Sequence, residues 1–292
     1  MLNRRETLKT LALAPFLSIG SHAFSMEAEC YKLKTSLNAF SFNEPLSKGD
    51  INLFQVLDFC AEQGFDAVDI TGYYFPEYPK VPSDEYIYSV KRKASLLGLE
   101  ISGTGVRNDF TISDKLTRNE HIQLVKNWID VAQKLGAPVI RIFAGAGIPK
   151  GYTWDQTAEW MITAIQECVE YGKSRGVIVA IQNHNDFIQT PEHVHYLMKR
   201  INDPWFGLIM DTGGFRNGET YSDIAKTIKY AVNWQIKEKI FVNGTELDTD
   251  YKRLLTLIKK SCYKGYIPIE TLGKGAPGEK VIAMMTKLRK EL

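Results

Sequence analysis

The sequence predicts a single-domain α/β chain closed into a (β/α)8 TIM barrel, on three observations. Short β-rich runs and helical stretches alternate strictly, eight times over. Strict alternation implies parallel strands joined by helical crossovers. The chain that remains after an N-terminal leader, roughly 265 residues, matches the length of such a barrel. An open doubly wound sheet would place a glycine-rich phosphate turn after its first strand, and Leu37-Asn38-Ala39-Phe40-Ser41 contains no glycine.

The elements follow in order. Leu33 to Ala39 reads as the first strand and 51–63 as its helix. Ala67-Val68-Asp69-Ile70-Thr71, rich in β-branched residues, is the second, followed by a helix over 84–97. Leu99 to Thr104 is the third, with a long helix over 113–135. Pro138 to Phe143 is the fourth, with a helix over 154–175. Val177-Ile178-Val179-Ala180-Ile181-Gln182 is the fifth; its helix, 191–201, opens on a proline, which suits a first helical turn. Gly207 to Asp211 is the sixth, with a helix over 222–228. Ala231 to Ile236 is the seventh, with a helix over 249–260. Tyr266 to Glu270 is the eighth, and a helix over 277–292 ends the chain.

Ahead of the barrel, Arg4-Arg5, Leu8, Lys9, an apolar run from Leu11 to Leu17 and then Ser21-His22-Ala23 have the pattern of a twin-arginine export signal. The division expected is a signal peptide over 1–23 and the barrel over 24–292, with a periplasmic or otherwise exported mature protein. The apolar run is too short for a stable membrane span, and no later run is long enough. The formal net charge is +2, and the leader's Arg4, Arg5, Lys9 and Glu6 account for it, leaving 33 basic and 33 acidic residues in the remainder. A chain so balanced is not expected to bind nucleic acid, which calls for clustered positive charge. Cys30, Cys60, Cys168 and Cys262 form no C-x-x-C pair, so no zinc-thiolate site is expected; Cys60 and Cys168 read as small buried residues.

Active sites of such barrels sit at the C-terminal ends of the strands. Side chains alternate along a strand, so Gln182 and His184 share one face, and Asn233, Gln235 and Lys237 another. Asp211 and Glu270 close the sixth and eighth strands. Four consecutive strands therefore aim polar groups at one point. Gln182, Asp211, Gln235 and Glu270 together offer two carboxylates and two amide carbonyls, a set for a hard cation such as Mg²⁺, Mn²⁺ or Ca²⁺. A hydrogen-bonded polar network without metal is the other reading. Arg107, Arg141 and Arg216 suit bidentate recognition of a carboxylate or of sugar hydroxyls, and loop salt bridges are the equal alternative for each. Tyr73, Tyr74, Phe75 and Tyr78 crowd the loop after the second strand, where aromatic faces stack on sugars or simply pack on the rim, and Tyr74 and Phe75 are the candidate sugar contacts.

Val179-Ala180-Ile181-Gln182-Asn183-His184, Ile209-Met210-Asp211-Thr212-Gly213, Trp234-Gln235-Ile236-Lys237 and Tyr266-Ile267-Pro268-Ile269-Glu270 occur in order at the right spacing. With Gly64-Phe65-Asp66-Ala67-Val68-Asp69-Ile70, they resemble the xylose isomerase-like barrel superfamily of sugar (phosphate) isomerases, epimerases and AP endonuclease family 2-like enzymes. The resemblance implies a Glu, Asp, His, Glu metal quartet. Asp211 and Glu270 match it, whereas Gln182 replaces the first Glu and Gln235 the His. An amide cannot act as a general base, so a symmetric two-glutamate epimerisation is not expected. Glu270 remains as base, His184 as acid or base, and Lys237 as a group that polarises a carbonyl. The implied activity is that of an isomerase or epimerase, or of a lyase or hydratase acting on a keto-sugar, by proton abstraction beside a carbonyl. The alternative is a non-catalytic sugar-binding protein on a degenerate barrel. An endonuclease would need a histidine-rich zinc site, and of His121, His184, His193 and His195 only His184 closes a strand. The resemblance also implies a possible homodimer.

Overall fold

The computed structural model describes residues 33–292. The expected export signal over 1–23 and Cys30 lie outside them. Ten strands form among the described residues: β1 (Lys34–Asn38), β2 (Ala67–Thr71), β3 (Glu100–Gly105), β4 (Val139–Ile142), β5 (Ile178–Gln182), β6 (Phe206–Asp211), β7 (Ala231–Lys237), β8 (Lys239–Val242), β9 (Thr245–Asp248) and β10 (Tyr266–Glu270). The helices are α1 (Asn43–Lys48), α2 (Leu53–Glu62), α3 (Asp84–Leu96), α4 (Lys115–Leu135), α5 (Trp154–Arg175), α6 (Pro191–Ile201), α7 (Thr220–Thr227), α8 (Tyr251–Lys260) and α9 (Pro277–Arg289). Eight strands close into a parallel barrel in the order β1-β10-β7-β6-β5-β4-β3-β2, while β8 and β9 pair separately as an antiparallel hairpin. The expected closed (β/α)8 barrel is the fold.

Local chemistry fixes the helix starts. Asn52 and Gln55 form a capping box at α2, as Thr153 and Gln156 do at α5. Thr190 Oγ1 accepts from the His193 N–H at α6, with Pro191 in the first turn. Glu219 caps α7 by accepting from the Ser222 N–H, so that helix begins at Thr220, two residues earlier than expected. The last helix stops at Arg289, short of the chain end.

Two elements go beyond the sequence reading. Helix α1 is a short turn between β1 and α2. The β8–β9 hairpin lies between the seventh barrel strand and its helix, where the sequence reading assigns no element, and it turns on Asn243-Gly244, both at positive φ (49° and 79°). Asn-Gly is a strong hairpin signal. No helix among the described residues is long and apolar enough to cross a membrane.

The helices pack their apolar faces on the outside of the barrel, and Cys60 and Cys168 lie fully buried there as expected. Burial pushes both thiols well above their ordinary range. Below the active-site end the barrel interior is partly polar. Ser36 and Ser102 hydrogen-bond at 2.7 Å, and Asn233 donates to Asp69 Oδ2 at 3.3 Å and to the Ser102 carbonyl at 3.1 Å. Burial raises the Asp69 carboxyl to about 7, with Arg141 pulling it down and Glu270 adding to the rise. Gly103 makes room for this network, since a Cβ there would lie 2.8 Å from Asp69 Oδ2.

Candidate active site

A cavity of about 430 Å³ opens at the C-terminal end of the barrel. That volume is typical of a small-molecule site. Its wall includes Gln182, His184, Gln235, Lys237 and Glu270 on one side and Tyr73, Arg107, Asn108, His121 and Arg141 on the other.

The register of the strands builds the first side. Lys237 and Glu270 are direct partners across β7 and β10, and Asp211 faces Gln235 across β6 and β7. The Lys237 ammonium donates to Glu270 Oε1 and lies 3.6 Å from Asp211 Oδ2. All three side chains are at least nine-tenths buried. Burial alone would favour the neutral amine, but the Asp211 and Glu270 carboxylates outweigh it and hold the ammonium above the ordinary lysine range. The backbone around Lys237 is fixed too. Its N–H donates to Thr212 Oγ1 at 2.9 Å, and its carbonyl accepts from Thr249 Oγ1 at 2.8 Å.

Gln182 Nε2 donates to Asp211 Oδ2 at 2.6 Å and to Gln235 Oε1 at 2.5 Å. Asp211 Oδ1 accepts from the Gly213 N–H at 2.8 Å. Asn183 ties β5 to β6 by exchanging two hydrogen bonds with the Asp211 backbone, at 2.8 and 3.0 Å. The structure therefore brings Gln182, Asp211, Gln235 and Glu270 together, but not as a cation cage. N–H groups already face Asp211, Gln235 Oε1 and Glu270 Oε1, and an ammonium sits between the two carboxylates. No group of three or more His, Cys, Asp and Glu able to hold a metal ion occurs among the described residues. The expectation of Mg²⁺, Mn²⁺ or Ca²⁺ on this quartet does not fit the donor set, because Lys237 takes the position between the charged ligands. One buried acceptor, Gln182 Oε1, has no partner.

His184 is half-exposed at the rim, 3.4 Å from Asp186 Oδ2 and edge-on to the Phe143 ring. Arg141 is buried and lies over Phe143, 4.0 Å from the ring centroid. It donates to the Val106 carbonyl at 3.0 Å and to the Tyr73 hydroxyl. Gly105 leaves the space for it, since a Cβ there would lie 2.8 Å from Arg141 Nε. Arg107 stacks on Tyr73 at 4.4 Å.

Three expected sugar contacts lie elsewhere. Phe75 is buried in the core, edge-on to Trp128 and Tyr86 at 5.4 and 5.8 Å. The Tyr74 hydroxyl turns to Asn43 Oδ1 at 2.9 Å, and it is the neighbouring Tyr73 that reaches the cavity. Arg216 leans over Phe241 of β8 at 4.8 Å and donates to the Gly213 carbonyl at 3.3 Å, outside the cavity wall. Tyr73, of the aromatic loop singled out in the sequence, lines the cavity, and so do Asn38 and His121, which sequence reasoning passed over as site residues. Asn38 ends β1 and was legible by position; His121 comes from α4 and carried no such signal.

Several solved structures share this architecture. A 3-keto-D-glucoside 4-epimerase from E. coli aligns at 14% identity over 89% of this chain and 100% of its own, with a TM-score of 0.72. A D-psicose 3-epimerase from Clostridium cellulolyticum H10, solved with D-tagatose, aligns at 15% identity over 89% and 99%, with a TM-score of 0.74. The IOLI protein, solved with a zinc atom, aligns at 17% identity over 89% and 99%, with a TM-score of 0.72. At these identities the likeness establishes the fold. No curated protein matches the chain. The sequence profile of the xylose isomerase-like TIM barrel matches residues 57–291, most of the barrel with its strand-end residues. This chain belongs to the xylose isomerase-like TIM barrel family.

Proposed function

We propose that the protein is a sugar-transforming enzyme that removes a proton from carbon beside a carbonyl, as an isomerase or epimerase or as a keto-sugar lyase or hydratase. The observation that carries this reading is the buried Lys237–Glu270 pair at the cavity floor. An ammonium has three N–H donors. With Glu270 taking one and Asp211 Oδ2 facing the ammonium at 3.6 Å, a donor is left for a substrate carbonyl oxygen. Glu270 takes the proton from the adjacent carbon, and the C–H electrons move into a carbon–carbon double bond as charge gathers on that oxygen. Lys237 stabilises the charge where water is excluded. A proton then returns to the neighbouring carbon or to the opposite face, or a β-substituent leaves with the electron pair. His184, steadied by Asp186, is placed to supply or accept that second proton. The names of the similar structures, sugar epimerases among them, support the substrate class.

The Arg4-Arg5 leader supports an exported protein, and N-terminal sequencing of the mature chain tests it. The activity is tested by incubating the protein with keto-sugars in D₂O and following loss of the α-proton by NMR. Exchange should occur with wild type and fall by roughly three orders of magnitude or more in Glu270→Gln. The two amides at Gln182 and Gln235 favour a second reading, a non-catalytic binder. Saturable sugar binding with no exchange in any keto-sugar would establish it instead.

A further inference from the structure

We propose that the substrate carries a carboxylate, received by Arg107 and Arg141 at the side of the cavity opposite Lys237 and Glu270. This rests on the sugar-transforming reading and adds the substrate class, a sugar acid.

The barrel order puts β3 and β4, which lead to these arginines, three strands away from the β7–β10 pair in either direction. The cavity thus has a reacting end and an arginine end. Among the described residues neither Arg107 nor Arg141 has a carboxylate within the 4.0 Å of an ion pair. Arg141 is 5% exposed and spends only two N–H groups on protein oxygens. A guanidinium offers five, in a fork that matches a carboxylate. A buried charge without a counter-ion is costly, and the sidechain of Asp69 answers it only in part, since burial raises that carboxyl to about 7. Tyr73 and Phe143 hold both guanidinium planes by stacking, so the forks are fixed before a ligand arrives. His121 adds a donor. Its Nδ1 accepts from the Asp109 N–H at 3.3 Å, which leaves the ring proton on Nε2.

The same wall argues for a carboxylate over a phosphate. Asp109 lines the cavity two residues from Arg107, and its carboxylate already accepts from the Thr111 and Ala146 N–H groups. The Ala146 N–H, in the loop Gly145-Ala146-Gly147, is thereby used up, and the Asp109 negative charge stands where a dianion would gather. A monoanion suits this balance better.

The test is calorimetric titration at low ionic strength with D-glucuronate, D-galacturonate and D-gluconate against D-glucose, D-galactose, D-fructose and D-fructose 6-phosphate. At least one acid should bind about tenfold or more tightly than its neutral counterpart, the worth of one good charge-assisted contact. Arg107→Gln and Arg141→Gln should each remove that preference. Arg107 is exposed, so its variant keeps the test open even if the Arg141 variant fails to fold. Neutral sugars binding as well as every acid, no binding by any acid, or the phosphate binding tightest would each overturn the proposal. Tight acid binding without α-proton exchange would sink the enzymatic reading and leave the carboxylate site standing.

Discussion

Replacing Lys237 by Met keeps an unbranched side chain, one atom shorter, and removes its charge, which tests what the ammonium does. Lys237, Glu270 and Asp211 have side-chain exposures of 10%, 5% and 4%. Breaking a buried pair by removing one partner typically costs about 3–5 kcal/mol, because the remaining charge is left uncompensated. Here two carboxylates share one cation, so the upper half of that range applies at pH 8. For a domain of this size it corresponds to a melting temperature lower by on the order of 10 °C. The sign with pH follows from the raised lysine value. The stability Lys237 contributes in the wild type is fully present below the ordinary lysine range and is lost only as pH rises through the higher folded-state value. At both pH 8 and pH 5.5 the wild type therefore keeps the full contribution. The variant should regain part of its loss at pH 5.5, since protonating either carboxylate removes the unpaired charge. Urea unfolding of both proteins at the two pH values measures this. A variant within about 1 kcal/mol of wild type at pH 8, or equally destabilised at both, would refute the assignment of Lys237 as the counter-ion of Asp211 and Glu270.

Three further outcomes are expected. Asp69, whose folded value stands at about 7, binds more protons folded than unfolded between about pH 4 and 7, so stability should fall as pH rises through that window. Asp69→Asn should flatten the fall, by on the order of 4 kcal/mol at pH 8, and an unchanged pH profile would contradict the burial argument. Combining Lys237→Ala with Gln182→Glu and Gln235→His should create Mn²⁺ binding measurable by calorimetry; stoichiometric Mn²⁺ already bound to wild type would show that Lys237 does not take the cation's place. Gly214→Ala should cost about 3 kcal/mol or more, because its Cβ would fall 1.5 Å from the Asn183 carbonyl oxygen, and a melting temperature equal to wild type would count against the geometry of the β6 loop.

The barrel was legible because strand and helix periodicities are local. The fifth helix over 154–175 and the sixth over 191–201 coincide with their observed bounds, each set by its own cap residues. The strand-end residues were legible by alternation, and Gln182, Gln235, Lys237 and Glu270 do reach one cavity. What alternation cannot give is who pairs with whom. That Lys237 lies between Asp211 and Glu270 follows from the stagger of three strands, a non-local property. The aromatic loop misled for a related reason. Tyr73, Tyr74 and Phe75 are adjacent in sequence, yet a short 3-10 turn over Gly72–Tyr74 sends Tyr73 to the cavity and leaves Phe75 packed on Trp128. Asn243-Gly244 was a readable hairpin signal that went unused, and Gly105 in a strand was a readable sign of close approach.

Lys237 is a cation on a covalent tether, locked at both backbone groups by Thr212 and Thr249. Its stoichiometry is one from the moment of synthesis. It does not exchange with the medium, cannot be stripped by a chelator, and cannot be displaced by a tighter-binding competitor ion such as copper or zinc. Under the proposed reaction, a barrel built this way is insulated from metal starvation and from mismetallation. In return the electrophile of that proposed reaction has a fixed charge of one and a fixed position, and no change of ion can retune it.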